Sequence, residues 1–126
     1  MKKLMLLLLL IMGVGIGQNY LSAQMHHSKW KEMEDFHEIM AVVFHSAEGD
    51  LFNPLKENSG MLVEKAKTWQ ASPIPEGHDA KTTKKTLKAL VKQCKKVDKM
   101  VKQGKPDAEL MVAIAAAHDI FHQAMH

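Results

Sequence analysis

His118 and His122 stand four residues apart in Ala117-His118-Asp119-Ile120-Phe121-His122. On a helix their rings project from one side, one turn apart, and can share a ligand. A third histidine, His37, lies in Met33-Glu34-Asp35-Phe36-His37-Glu38-Ile39-Met40. Neutral imidazole gives zinc a lone pair at about 2.0–2.1 Å, and it suits copper, nickel and iron as well. The chemistry these residues offer is binding of a transition-metal ion.

Helical spacing predicts where they point. At about 100° per residue, His37 falls within the stripe made by Trp30, Met33, Met40, Ala41 and Phe44, so it is expected to face inward. His118 falls about 40° from Ile114 and is also expected inside, with His122 bordering the same side. If the last helix runs back beside the first, residue numbers across the pair sum to roughly 155. His37 is then level with His118, and Met33 near His122. The expected metal set is His37, His118 and His122, with Met33 or Glu34 completing the shell and Met40 a further thioether candidate. His45, near Glu48 and Asp50, reads first as a helix C-cap interacting with the helix dipole. The alternative is a ligand of a second, oxygen-rich cluster. Singly, each histidine is accounted for by a hydrogen bond to a carbonyl or carboxylate; the three together point to a site.

Four amphipathic helices position these residues. The first spans about Ser28 to Ala47 and stops at Gly49. Asn53-Pro54 reads as an N-cap and first-turn proline of a second helix, with Leu55, Leu62, Ala66 and Trp69 on one stripe. Ser72-Pro73-Ile74-Pro75-Glu76-Gly77 breaks it. A third helix from about Ala80 to Gln103 turns Leu87, Leu90, Val91, Cys94, Val97 and Val101 inward and ends at Gly104. Pro106 and Asp107 open a fourth, with Leu110, Ile114, Ala117, His118, Phe121 and Met125 along its stripe. The predicted fold is all-α, an antiparallel up-down-up-down four-helix bundle.

Lys2 and Lys3, an apolar run from Leu4 to Met12, and the segment ending Leu21-Ser22-Ala23 predict a cleavable secretory leader over residues 1–23. Residues 24–126 then form a single domain, exported to the periplasm or secreted, with no stable membrane insertion after cleavage. Without Lys2 and Lys3, the formal charge of +3 falls to +1. That balance gives no reason to expect a nucleic-acid partner. Lysines crowd the third helix, where the expectation is a solvated face or a docking face for an anionic surface or acidic protein partner. The single cysteine, Cys94, cannot form an intramolecular disulfide and reads as a core residue. No serine or cysteine nucleophile with a base, and no glycine-rich phosphate loop, is in view, so a carrier, sensor or electron-transfer role is expected over an enzymatic one.

Two segments carry a family resemblance. Ile114-Ala115-Ala116-Ala117-His118-Asp119-Ile120-Phe121-His122 resembles the last helix of cytochromes c prime, where Cys-x-x-Cys-His, an acid and an aromatic hold haem. Trp69 to Gly77, with Pro73-Ile74-Pro75-Glu76-Gly77, is similar to that family's connection between helices two and three. The resemblance implies that His118 matches the axial histidine. Ile114 and Ala117 stand where the cysteines would, so thioether attachment is ruled out. What remains from the resemblance is non-covalent haem b, with His118 on one side and Met33, His37 or Met40 on the other, or a cavity converted to an ion site. A hemerythrin-like di-iron site ranks below both, because Ala41 stands one turn after His37 and helices two and three bring no histidine. A cofactor-free envelope binding or stress module is the third reading.

Overall fold

The computed structural model describes residues 30–126, which form four helices and no strand. The expected leader over residues 1–23 lies outside the described residues, as do His26 and His27. We number the helices α1 (Lys31–Glu48), α2 (Asn53–Ala71), α3 (Ala80–Lys102) and α4 (Asp107–Met125). α1 and α3 each pack against both α2 and α4 and do not meet one another, so they occupy opposite corners of the bundle.

Apolar periodicity builds the interior. Leu55, Leu62, Ala66 and Trp69 of α2 are all buried, as are Leu87, Leu90, Val91, Cys94 and Val97 of α3. Both stripes are those the spacing predicts; Val101 alone stays partly exposed. On α4, Leu110, Ile114, Ala117 and Phe121 are buried as expected, joined by Ala113 and Ala124, while Met125 packs at the edge of the core.

α1 departs from expectation. Its buried face is Phe36, Met40, Val43 and Ala47, a stripe turned by about one residue from the predicted one. The cause is an ambiguous wheel. Met33, Ile39, Val42 and Phe44 flank this face, and the surface left open by α2 and α4 decides which apolar residues close the core. His37 is therefore exposed instead of inward.

An aromatic cluster fills one end. Phe36 lies 5.6 Å from Trp69 and 5.4 Å from Phe121, and Trp69 lies 5.9 Å from Phe121. These are separations at which edge-to-face and tilted ring pairs attract. Trp30 closes this end. Its Nε1 donates to Ser72 Oγ at 2.7 Å, and Ser72 Oγ donates to the Trp69 carbonyl at 2.7 Å, which joins the start of α1 to the end of α2. His78, in the connection between α2 and α3, is half-buried with its ring 5.1 Å from Trp30.

The helix ends follow local chemistry with two corrections. Asn53 is the first helical residue of α2 and not its cap; Phe52 takes the cap position in helical backbone, and Pro54 sits in the first turn, where its missing N–H costs nothing. Gly49 closes α1, with its N–H on the carbonyls of His45 and Ser46, but at φ −89°. The left-handed turn falls on Asp50 at φ +63°. Gly104, at φ +68°, uses the freedom that only glycine has without cost.

Candidate metal centre

Seen from outside, α1 and α4 leave between them a groove of about 270 Å³ lined by His37, Met40, Ala41, His45, His118, Phe121 and His122. Four histidines that the sequence singles out thus share one surface depression. Their setting differs from the predicted one in depth and register.

The depth follows from the turn of α1. With Phe36 and Met40 in the core, His37 lies on the rim, its ring stacked on Phe121 at 5.3 Å and 29°. His118 is half-buried, not interior, and His122 is exposed. Register shifts too. His118 stacks face to face on Phe44, centroids 3.9 Å apart and planes at 10°, so it stands opposite Phe44, while His37 faces Phe121. The expected alignment of His37 with His118 is therefore off by about one to two turns.

α4 brings its own pair together. His118 and His122 are four residues apart on a continuous helix, and their Nε2 atoms are 3.2 Å apart with the rings at 81°. Two imidazole nitrogens bound at about 2.0–2.1 Å to one tetrahedral or square-planar ion stand about 2.8–3.4 Å from each other. The observed separation falls in that range. It also fits an N–H···N hydrogen bond between neutral rings, whose shared proton an ion would replace, both rings then carrying their proton on Nδ1.

Electrostatics keep His118 ready to ligate. Burial, and then the neighbouring His122, lower its pKa from the usual histidine value, against smaller opposing pulls from Asp119 and Glu48. A neutral ring presents a lone pair where a protonated ring has none.

His45 lies in the last turn of α1, and its Nδ1 is 3.0 Å from Glu48 Oε1. If Nδ1 carries the proton, it donates to that carboxylate and leaves Nε2 unprotonated, the arrangement by which carboxylates orient ligating histidines. Asp50 forms no hydrogen bond or ion pair with either residue among the described residues. Glu48, three residues after His45, was legible as a partner from spacing alone; Phe44 as the plate beneath His118 was not, because it depends on which helices touch.

Met40 is fully buried and reaches the groove only as part of its floor, and Met33 is partly buried outside it. No group of three His, Cys, Asp or Glu side chains among the described residues is close enough to hold an ion as the side chains stand. His37 and His45 are both exposed and can change rotamer at a cost of order 1 kcal/mol. Cys94 is no candidate: burial pushes its thiol up to about 12, far from the thiolate a metal needs.

No protein family, curated protein or solved structure matches the chain.

Proposed function

We propose that this chain binds a transition-metal ion, zinc, copper, nickel or iron, in the groove between α1 and α4, and serves as a carrier or sensor of that ion. The observation that carries this reading is the 3.2 Å separation of His118 Nε2 and His122 Nε2. His37 and His45, on the opposite wall, supply further nitrogen ligands when the ion draws their rings in. Water or an external ligand fills what remains. Imidazole-only sets at an open surface suit uptake and release.

In the same reading the chain is exported after loss of residues 1–23 and folds as an antiparallel up-down-up-down bundle like that of cytochromes c prime. Contact of the first turn of α1 with the last turn of α2, through Trp30 and Ser72, supports the antiparallel order. Non-covalent haem, with His118 opposite Met33, His37 or Met40, is the competing reading. Met40 is sealed in the core, out of reach as an axial ligand, which favours the ion.

Titration of untagged protein with each ion, followed by calorimetry and absorption, tests the proposal. His118→Ala and His122→Ala should each weaken binding at least about tenfold, while His126→Ala should leave it unchanged. Equal effects of all three would sink the proposal, and a Soret band on adding haem, lost in His118→Ala, would put the cytochrome reading in its place.

A further inference from the structure

α3 holds nine lysines against one acid, Asp98. Lys81, Lys88, Lys95 and Lys102 recur every seven residues, and Lys84, Lys92 and Lys99 fall between them, so every turn of the helix presents an ammonium group on one outward face. All of these side chains are exposed. Of these α3 lysines only Lys102 has a carboxylate partner among the described residues, Asp98, at 2.8 Å. Over 23 residues the array runs about 35 Å. Diagonally across the bundle, α1 carries five acids and one lysine. The charge of the folded chain is therefore strongly polarised although its net value is small.

We propose that α3 docks lengthwise, through this lysine face, on an anionic lipid surface. The chemistry of the face selects that partner. Large exposed apolar residues, Val42, Leu51, Met61 and Val112, all lie off α3, so the face lacks the buried anchor on which protein interfaces turn, and interface cores are depleted in lysine. The chain has no arginine to form bidentate phosphate forks, and α3 has no aromatic residue on which a base could stack. A straight row of point charges on long, flexible stems matches a plane of diffuse phosphate charge. Insertion is not part of the contact, since the apolar stripe of α3 is closed into the core and no described helix is long and apolar enough to cross a membrane. Because α1 does not touch α3, docking leaves the histidine groove open on the far side of the bundle.

Co-sedimentation of the full chain with vesicles tests this. Phosphatidylcholine vesicles with about one-third phosphatidylglycerol are compared with phosphatidylcholine alone, and the difference is read after subtracting that shown by a peptide of residues 1–23, whose Lys2, Lys3 and apolar segment from Leu4 to Met12 favour anionic vesicles by themselves. Binding to the anionic vesicles should be at least about tenfold stronger and should vanish when salt rises from about 50 to about 500 mM. Lys84→Glu, Lys88→Glu, Lys92→Glu and Lys95→Glu together should abolish the difference with helicity unchanged; the same four positions as Gln serve if the Glu variant fails to fold. His118→Ala with His122→Ala should bind vesicles as the parent does. Equal binding to both vesicle types, retained binding by the lysine variants, or tighter capture by polyglutamate or single-stranded DNA than by anionic vesicles would overturn the proposal.

Discussion

Protonation of His118 links the groove to pH. Its pKa is lowered in the folded chain, first by burial and then by His122, so the unfolded state takes up the proton at higher pH than the folded state does. Stability contributed by the neutral ring is complete above the unfolded value near 6.5. It falls as pH drops below that value and levels off below the folded pKa. Replacing His118 with Phe should flatten this part of a pH-stability curve from urea unfolding; an unchanged curve would mean that His118 does not titrate as described. Metal affinity should weaken over the same window, since protons and the ion compete for Nε2.

Asp50 is a second test at single-residue scale. It holds φ +63° just beyond α1, a conformation that costs an L-residue about 1–2 kcal/mol, less for Asp than for most. Asp50→Gly should therefore stabilise the chain slightly. Gly104→Ala should destabilise by about 1 kcal/mol through backbone strain alone, because a Cβ there meets open space. Both are read by thermal or urea unfolding.

Between elements, one polar link fixes α2 against α3. Ser59 is buried and donates to Asp98 Oδ1 at 2.8 Å, while Lys102 donates to Oδ2 of the same carboxylate at 2.8 Å. The Lys102 hydrogen bond and then that of Ser59 hold Asp98 below the usual carboxylate range, with burial opposing them. That stability is present above the unfolded pKa and is lost as pH falls through the folded one. Asp98→Ala should cost about 1–3 kcal/mol, because it leaves the Ser59 hydroxyl buried without a partner; a double-mutant cycle with Ser59→Ala should show most of the cost as shared. Phe121 joins α4 to α1 and α2 through Phe36, Trp69 and His37. Phe121→Ala should destabilise by about 3–5 kcal/mol and also loosen the groove, whose wall it forms.

At the scale of the molecule, an ion bound only by the folded chain should raise its stability. At a free ion concentration one hundred times Kd the gain is about 2.7 kcal/mol, or roughly 10–20 °C in Tm for a domain of this size. Chelator should reverse the shift in the parent chain and do nothing to His118→Ala with His122→Ala. A Tm that ignores both ion and chelator would count against the ion reading. Polarised charge gives the whole chain a preferred orientation at any anionic surface, with α3 inward and the α1–α4 groove toward solvent.

Local patterns determined most of this architecture. Proline and glycine at the breaks and apolar periodicity between them fixed the number, kind and approximate limits of the helices, and for α2, α3 and α4 also most of the apolar residues that are buried. The His118–His122 pair was legible because a four-residue spacing sets the neighbourhood of two rings whatever surrounds the helix. α1 was not legible to the same degree. Its apolar residues, from Met33 through Ala47, nearly encircle the helix, and the difference between Phe36 inside and His37 inside is one residue of rotation. Only contact with α2 and α4 settles that rotation, since burying Phe36, Met40 and Val43 lets the aromatic cluster close around Trp69 and Phe121. Tertiary packing likewise set the register that places His118 on Phe44 and turned an expected interior site into a groove at the surface. Spacing along a chain constrains neighbours on one helix, whereas depth and register depend on volumes that two or more helices must fill together.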